Sequence, residues 1–289
     1  MKVGVVDIGT NSMRLLITDG IVEVGRWVEV TGLGRGVDAT GELSEDALDR
    51  TLATLARFGE RMDAESVGRR AAIATSATRD AANREEFLDR AASALGTRPE
   101  VIPGEREGAL AFDGAVAELD GALYMVSDIG GGSTEFVTAD GATSIDIGSV
   151  RLTDRILTER PARPEDLEKA QDHVRALFRE VTVSGNLVGV AGTWTSLAAI
   201  DLDLRSYDRF VIHHHRMTRS ALSRITVELA GMSVEETAAI PSLDPARAPV
   251  ILAGAVVAGC VMDTVSAETT LISEHDTLDG LARELLDLT

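Results

Sequence analysis

Lysine is almost absent. Lys2 and Lys169 are the only two in 289 residues, against 47 Asp and Glu, and the formal net charge is −19. That balance excludes the broad basic surface that neutralises nucleic-acid phosphates. The same field repels any polyanion, so a site for a phosphorylated ligand must be assembled locally from arginines, backbone N–H groups and metal. Arginine supplies nearly all the cationic side chains and suits bidentate contact with phosphate. Cysteine occurs once, at Cys260, which excludes an intrachain disulfide and reads as a small core residue. Aromatics are 3% of the chain, so Val, Leu, Ile and Ala must fill the cores. The longest apolar run, Val250 to Met262, is too short to span a bilayer and contains Gly254 and Gly259. Met1-Lys2 leads straight into a β-prone run with no separate hydrophobic segment. The sequence is therefore read as cytoplasmic, with neither membrane nor nucleic acid as a partner.

What the chain has in quantity is glycine, and two glycine turns organise it. Val126-Ser127-Asp128-Ile129-Gly130-Gly131-Gly132-Ser133-Thr134-Glu135-Phe136 reads as strand, acid, glycine turn, hydroxyls, acid and strand. Such a hairpin turn lets backbone N–H groups approach an anion, and Asp128 can hold a hydrated cation against it. Val3 to Ile17 has the same plan around Asp7-Ile8-Gly9-Thr10-Asn11-Ser12. The Asp-Ile-Gly triplets lie 121 positions apart (7 to 128), each between β-branched runs. An internal repeat sets architecture: here, two related halves facing each other across a cleft, each offering a loop to one phosphorylated ligand. Length and 44% apolar composition are enough for two domains with separate cores.

The remaining segments read as alternating strands and helices. Ser44 caps a helix carrying Leu48, Leu52, Leu55, Phe58 and Met62 at helical spacing. A short strand, Ala71 to Thr75, runs into a polar turn at Ser76-Ala77-Thr78-Arg79-Asp80, where ligands of α/β folds collect. Asn83 and Glu86 have capping-box spacing. Pro103-Gly104 opens a helix near Glu105. Leu187 to Ala191 reads as a strand, with Gly192-Thr193-Trp194-Thr195-Ser196 as a turn into a helix from Leu197. That third small-residue turn is either a further anion-facing loop or a plain connection. The halves join near Glu118 to Gly121. His213, His214 and His215 follow the β-prone Phe210-Val211-Ile212. Adjacent strand side chains point to opposite faces, so the three are not expected to converge on a metal.

In order along the chain, Asp7 to Ser12, Thr75 to Ala81, Gly104-Glu105-Arg106-Glu107, Asp128 to Glu135 and Val188 to Thr193 resemble the exopolyphosphatase and guanosine pentaphosphate phosphohydrolase (Ppx/GppA) family, in its short form. The resemblance implies an α/β fold of two ribonuclease-H-like domains flanking a cleft, as in the acetate and sugar kinase, heat-shock chaperone and actin superfamily. It implies a first domain of residues 1–118 plus a returning helix in 275–289, and a second of residues 119–274. It further implies a homodimer. By the same resemblance Glu107 is the catalytic glutamate, Arg79 reaches substrate phosphate, and Asp128, Asp7 and Glu135 surround magnesium (or manganese), with Glu135 also catalytic. Gly9, Thr10, Asn11, Ser12, Gly130, Gly131, Gly132, Ser133, Thr134, Gly192 and Thr193 are the implied phosphate-binding residues. Members often carry an arginine before the Leu-Gly-x-Gly turn, where this chain has Gly32, with Arg35 nearby.

Phosphoryl transfer to water needs charge neutralisation, in-line positioning and a base. Glu107 can be that base, although an acid in a helix's first turn can also serve only the helix dipole. Three functions follow: hydrolysis of terminal phosphate from inorganic polyphosphate, with short chains favoured; the same reaction on guanosine pentaphosphate; or a non-catalytic sensor of either ligand.

Overall fold

The structure, a computed structural model, describes residues 1–120 and 122–288. Of the expected junction between halves, Gly121 lies outside the described residues. The first sheet contains β1 (Val3–Ile8), β2 (Ser12–Thr18), β3 (Glu23–Val30), β4 (Arg69–Ala74) and β5 (Glu100–Val101), in the order β3-β2-β1-β4-β5. The second contains β6 (Tyr124–Ile129), β7 (Thr134–Thr138), β8 (Gly141–Ile145), β9 (Asn186–Val190), β10 (Arg216–Thr218) and β11 (Thr269–Ile272), in the order β10-β11-β9-β6-β7-β8. Read from β8 to β11, the second sheet repeats the first: two antiparallel hairpin steps, then two parallel neighbours. β10 adds one antiparallel strand at the far edge. The ribonuclease-H-like order thus occurs twice, as the repeated triplet implies.

Burial explains which strands lie in the middle. All six residues of β1 are buried, as a strand covered on both faces requires, whereas edge strand β3 is half-exposed. Leu48, Leu55, Phe58 and Met62 of helix Glu45–Ala64 pack against the first sheet with Phe87 of helix Arg84–Leu95. Helix Ile251–Thr264 is apolar on every side and sits inside the second core, with Cys260 buried among its neighbours.

Two helices meet between the sheets. Helix Gly104–Val116 packs Leu110 into a cluster with β1, and Ala111 and Ala115 into one with β6, β7 and β9. Helix Thr277–Leu285 lies against the first sheet through Leu278, Leu281 and Ala282. The two cross at glycines: a Cβ at Gly114 would overlap the Asp276 carbonyl, and one at Gly280 the Leu110 carbonyl. Backbone cannot give way as a flexible side chain can. Gly280→Ala should therefore lower stability by about 1–3 kcal/mol or more, read as a fall in Tm, with an exposed change such as Glu284→Ala as the control.

Several local expectations are corrected. Ser76–Asp80 is a short helix, with Ser76, Ala77 and Thr78 buried. Asn83 makes no side-chain cap; its amide bonds both the N–H and the carbonyl of Leu43, at 2.9 Å each, tying two segments together instead. The helix after β9 starts at Ala191, so Gly192-Thr193 form its first turn and Trp194 is buried inside the second core. Phe210 belongs to a helical turn, Arg209–Ile212, rather than a strand.

That last change rearranges the histidines. His213 stacks on His214 and tilts against His275, and with Glu118 these rings form a small cluster. His213 Nδ1 accepts from the Glu274 N–H at 3.1 Å, which leaves the ring proton on Nε2, facing Glu118 at 3.5 Å. Among the described residues, side-chain atoms of Glu118, His213 and His275 lie within 4.8 Å of one another, a spacing that can share a metal ion, and His214 and His215 are outside that group.

Candidate active site

The two glycine turns have one geometry. Gly9 N–H bonds the Ser12 carbonyl at 3.1 Å, and Gly130 N–H bonds the Ser133 carbonyl at 3.0 Å. They face each other closely: a Cβ on Gly131 would come within 2.9 Å of Thr10 Cβ, and one on Gly132 would overlap the Ser76 hydroxyl. The loop-to-loop approach by itself requires these glycines. The second turn is pinned from behind, where the N–H groups of Ser149 and Val150 bond the carbonyls of Gly130 and Gly131 at 3.0 and 2.9 Å. Ala191, with φ of 65°, turns β9 into its helix and brings Gly192 and Thr193 to the same place.

One pocket joins these pieces. Asp7, Gly9, Thr10, Asn11, Ser12, Glu107, Asp128, Gly130, Gly131, Gly132, Ser133, Gly192 and Thr193 line it, and it offers ≈ 60 Å³ to water-sized groups. Three implied residues are not in its wall. Thr134 is fully buried and donates its hydroxyl to the Ile147 carbonyl at 2.6 Å. Glu135 is fully buried, and Arg79 donates to the Ile102 carbonyl at 3.0 Å while its charge reaches Glu107.

Register explains the difference between the two turns. Asp7 stands directly opposite Arg14, and Asp128 directly opposite Glu135. Arg14 and Glu135 are again 121 positions apart, so they are the same place in the repeat. In the first half the acid is neutralised; in the second it faces another acid, an arrangement that repels unless a proton or cation intervenes. Gly104 and Gly108 bring Glu107 to this spot, because a side chain at either would press on Ser144 or Val137. Glu105, in the same turn, is exposed.

Electrostatics follow from that crowding. Burial, then Glu135, Asp128 and Asp7, push the Glu107 carboxyl well above the carboxylate range, with Arg79 opposing. Burial and Asp128 push Glu135 up to about 8. Burial raises Asp128 to about 7, with Arg14 opposing and Asp276 and Asp7 adding to the rise. Buried oxygens of three of these acids have no partner: Asp7 Oδ1, Glu107 Oε2 and Glu135 Oε2. Unsatisfied carboxylate oxygens from two strands and a helix fit a hard divalent cation. No three pocket carboxylates bring oxygens within 4.8 Å of one another among the described residues.

Arg14, Ser149 and Arg247 also line the pocket and do not follow from the linear motifs. Arg14 was detectable only through its repeat partner Glu135. Arg247 makes no side-chain hydrogen bond or ion pair among the described residues, and it borders both this pocket and a second cavity of ≈ 510 Å³. Gly32 has φ of +63°, which disfavours an arginine there. Arg35 folds back over Gly32 and reaches the Ala246 carbonyl at 3.5 Å, beside Arg247. Ion pairs also cross between the halves: Arg155 grips Asp38 at 2.5 and 2.6 Å, and Arg151 pairs with Asp80.

No described helix is long and apolar enough to cross a membrane. Comparison with known proteins agrees with this architecture. Exopolyphosphatase 2 of Mycobacterium tuberculosis is 36% identical over 313 aligned positions, covering 98% of each chain. A crystal structure of an exopolyphosphatase-like protein superposes with a TM-score of 0.93 at 33% identity, covering 100% of this chain and 99% of that one. The guanosine-5'-triphosphate,3'-diphosphate pyrophosphatase of Photobacterium profundum is 27% identical, over 97% of this chain and 58% of its own length. Residues 18–287 match the Ppx/GppA phosphatase family, and the chain, with its paired actin-like halves, belongs to that family of enzymes.

Proposed function

We propose that the protein is an exopolyphosphatase, releasing the terminal phosphate of inorganic polyphosphate by magnesium-assisted hydrolysis. The observation that carries this reading is Glu107 Oε2: buried, unpartnered and in the wall of a pocket made by two phosphate-sized glycine turns. The amides of Thr10 to Ser12 and Gly131 to Ser133, in turns closed by the Gly9 and Gly130 N–H groups, with Gly192 and Thr193, would cradle the terminal phosphoryl group. Asp128, Glu135 and the free oxygen of Asp7 would hold magnesium (or manganese), which when bound neutralises phosphate charge. Water attacks the terminal phosphorus, the phosphoanhydride P–O bond breaks towards the shortened chain, and Glu107, which would be ionised once a bound cation offsets its acid neighbours, receives the water's proton.

The pocket's size suits one phosphoryl group, and the rest of the substrate would leave past Arg247, which borders both this pocket and the larger cavity. A short chain fills the cavity beyond. That cavity also has Val28, Tyr207 and Leu243 in its wall, and this apolar surface favours guanosine pentaphosphate as the second reading. Phosphate release from short polyphosphate, long polyphosphate and guanosine pentaphosphate, measured side by side, decides between them. Turnover restricted to the guanosine ligand would overturn the first reading.

The two arginines should differ. Arg247→Ala removes an unpaired cation from the exit and should raise KM, since a charge-assisted contact contributes about 1.5–3 kcal/mol. Arg79→Ala should lower kcat/KM by at least about tenfold on the same magnitude, with Tm little changed. Normal turnover in Arg79→Ala would leave that residue with a structural role only.

A further inference from the structure

Arg14 standing opposite Asp7 presents a difficulty for cation binding, because an arginine can take both oxygens of a carboxylate. Here it does not. Its Nε and Nη2 both donate to Asp7 Oδ2, at 3.0 and 2.5 Å, and its Nη1 is held by Asp276 Oδ2. Asp7 Oδ1 stays buried and unpartnered. Asp276 precedes helix Thr277–Leu285, and its other oxygen caps that helix by accepting from the Leu278 N–H at 3.0 Å. It stands outside the pocket wall. Its neighbours reach the other acids: Thr277 donates to Asp128 Oδ2 at 3.4 Å, and the Asp276 carbonyl rests on Gly114 of the helix that carries Glu107.

We propose that Asp276 is a positioning residue for the divalent cation, holding the Arg14 fork on one oxygen of Asp7 so that the other faces the pocket. It also offsets the Arg14 charge beside Asp7 and Asp128. Without it, the guanidinium is free to rotate and take Asp7 bidentately, removing a ligand oxygen. The inference rests on the metal reading of the site.

Asp276→Asn tests it. Asparagine caps a helix as well as aspartate does. With its single oxygen on Leu278, its NH₂ group points donor-to-donor at Arg14 and releases it. Asp279→Asn is the control. Asp279 accepts from the Asp276 N–H at 2.9 Å and pairs with Arg26 at 2.6 Å, so its loss weakens the same helix end without touching Arg14. The measurement is Mn²⁺ binding to the full chain by calorimetry, without substrate, alongside Tm. Outer-shell partners typically contribute about 10–100-fold to metal affinity, so Asp276→Asn should weaken Mn²⁺ binding at least about tenfold. Asp279→Asn should lower Tm and leave binding within about twofold, because its bonds lie outside the chain of contacts to the metal. No Mn²⁺ binding by the wild type would overturn the metal reading and this inference together. Tight binding by the wild type and equally by Asp276→Asn would overturn the inference alone. Equal weakening in both variants would reduce Asp276 to a helix cap, with the same consequence.

Discussion

Glu107→Gln is expected to lower phosphate release by a factor of roughly 10² to 10⁴, the usual contribution of a positioned acid–base group. Glutamine keeps the size and helix compatibility of the side chain and loses only the capacity to take a proton. The carboxyl it replaces is buried beside Glu135, Asp128 and Asp7, all of like charge. Removing one acid from that group should hold or raise Tm and should leave polyphosphate binding intact or tighter. A helix-dipole partner behaves oppositely: its loss costs a few tenths of a kcal/mol and leaves turnover unchanged. Exposed Glu105, in the same turn, is the internal comparison, and Glu105→Gln should show that weak pattern. A sensor shows no turnover in either wild type or variant. Phosphate release and ligand binding, measured on all three proteins, separate the cases. Unchanged turnover in Glu107→Gln would overturn the proposed mechanism.

The parts of this site that are local in sequence were legible there. Each Asp-Ile-Gly turn carries its acid, its glycines and its hydroxyls within six residues, and a turn's geometry is decided by those neighbours. Gly104 and Glu107 are likewise one helical turn apart. What was not legible depends on which strand or helix end lies next to which. Arg247 reaches the pocket across Gly192, more than fifty residues away in the chain, and no local pattern marks it. Thr134 has the right chemistry for phosphate, but the strand begins at that residue and its hydroxyl turns to the Ile147 carbonyl instead. Asn83 has the right spacing for a cap, yet Leu43 offers its amide a donor and an acceptor together. Arg14 is the instructive case. Folding the sequence on its own 121-residue repeat sets Arg14 against Glu135, and that substitution predicts that only one of the two Asp-Ile-Gly acids is neutralised by protein.

Exhaustive removal of divalent ions is expected to abolish turnover by at least about a thousandfold, since a metal's charge stabilisation of the transition state contributes several kcal/mol. Restoring magnesium or manganese should recover it. The cause is visible in the protein's own acids, and it gives a second readout free of substrate. Without a cation, burial and mutual repulsion raise Asp128 to about 7 and Glu135 to about 8, against about 4 in an unfolded chain. Between those limits the folded protein binds more protons than the unfolded one, so its stability falls as pH rises. The contribution is fully present below about 4 and is lost as pH passes through 7 and 8. Magnesium replaces the protons, and it competes best where they have already left. Adding it should therefore raise Tm much more at about pH 8.5 than at about pH 6, while its Kd falls over the same interval. Thermal unfolding of the substrate-free protein with and without magnesium, at both pH values, measures this directly. Equal increments at the two pH values would mean that Asp128 and Glu135 are not the groups the cation meets. Full turnover after chelation would remove the metal from the mechanism altogether.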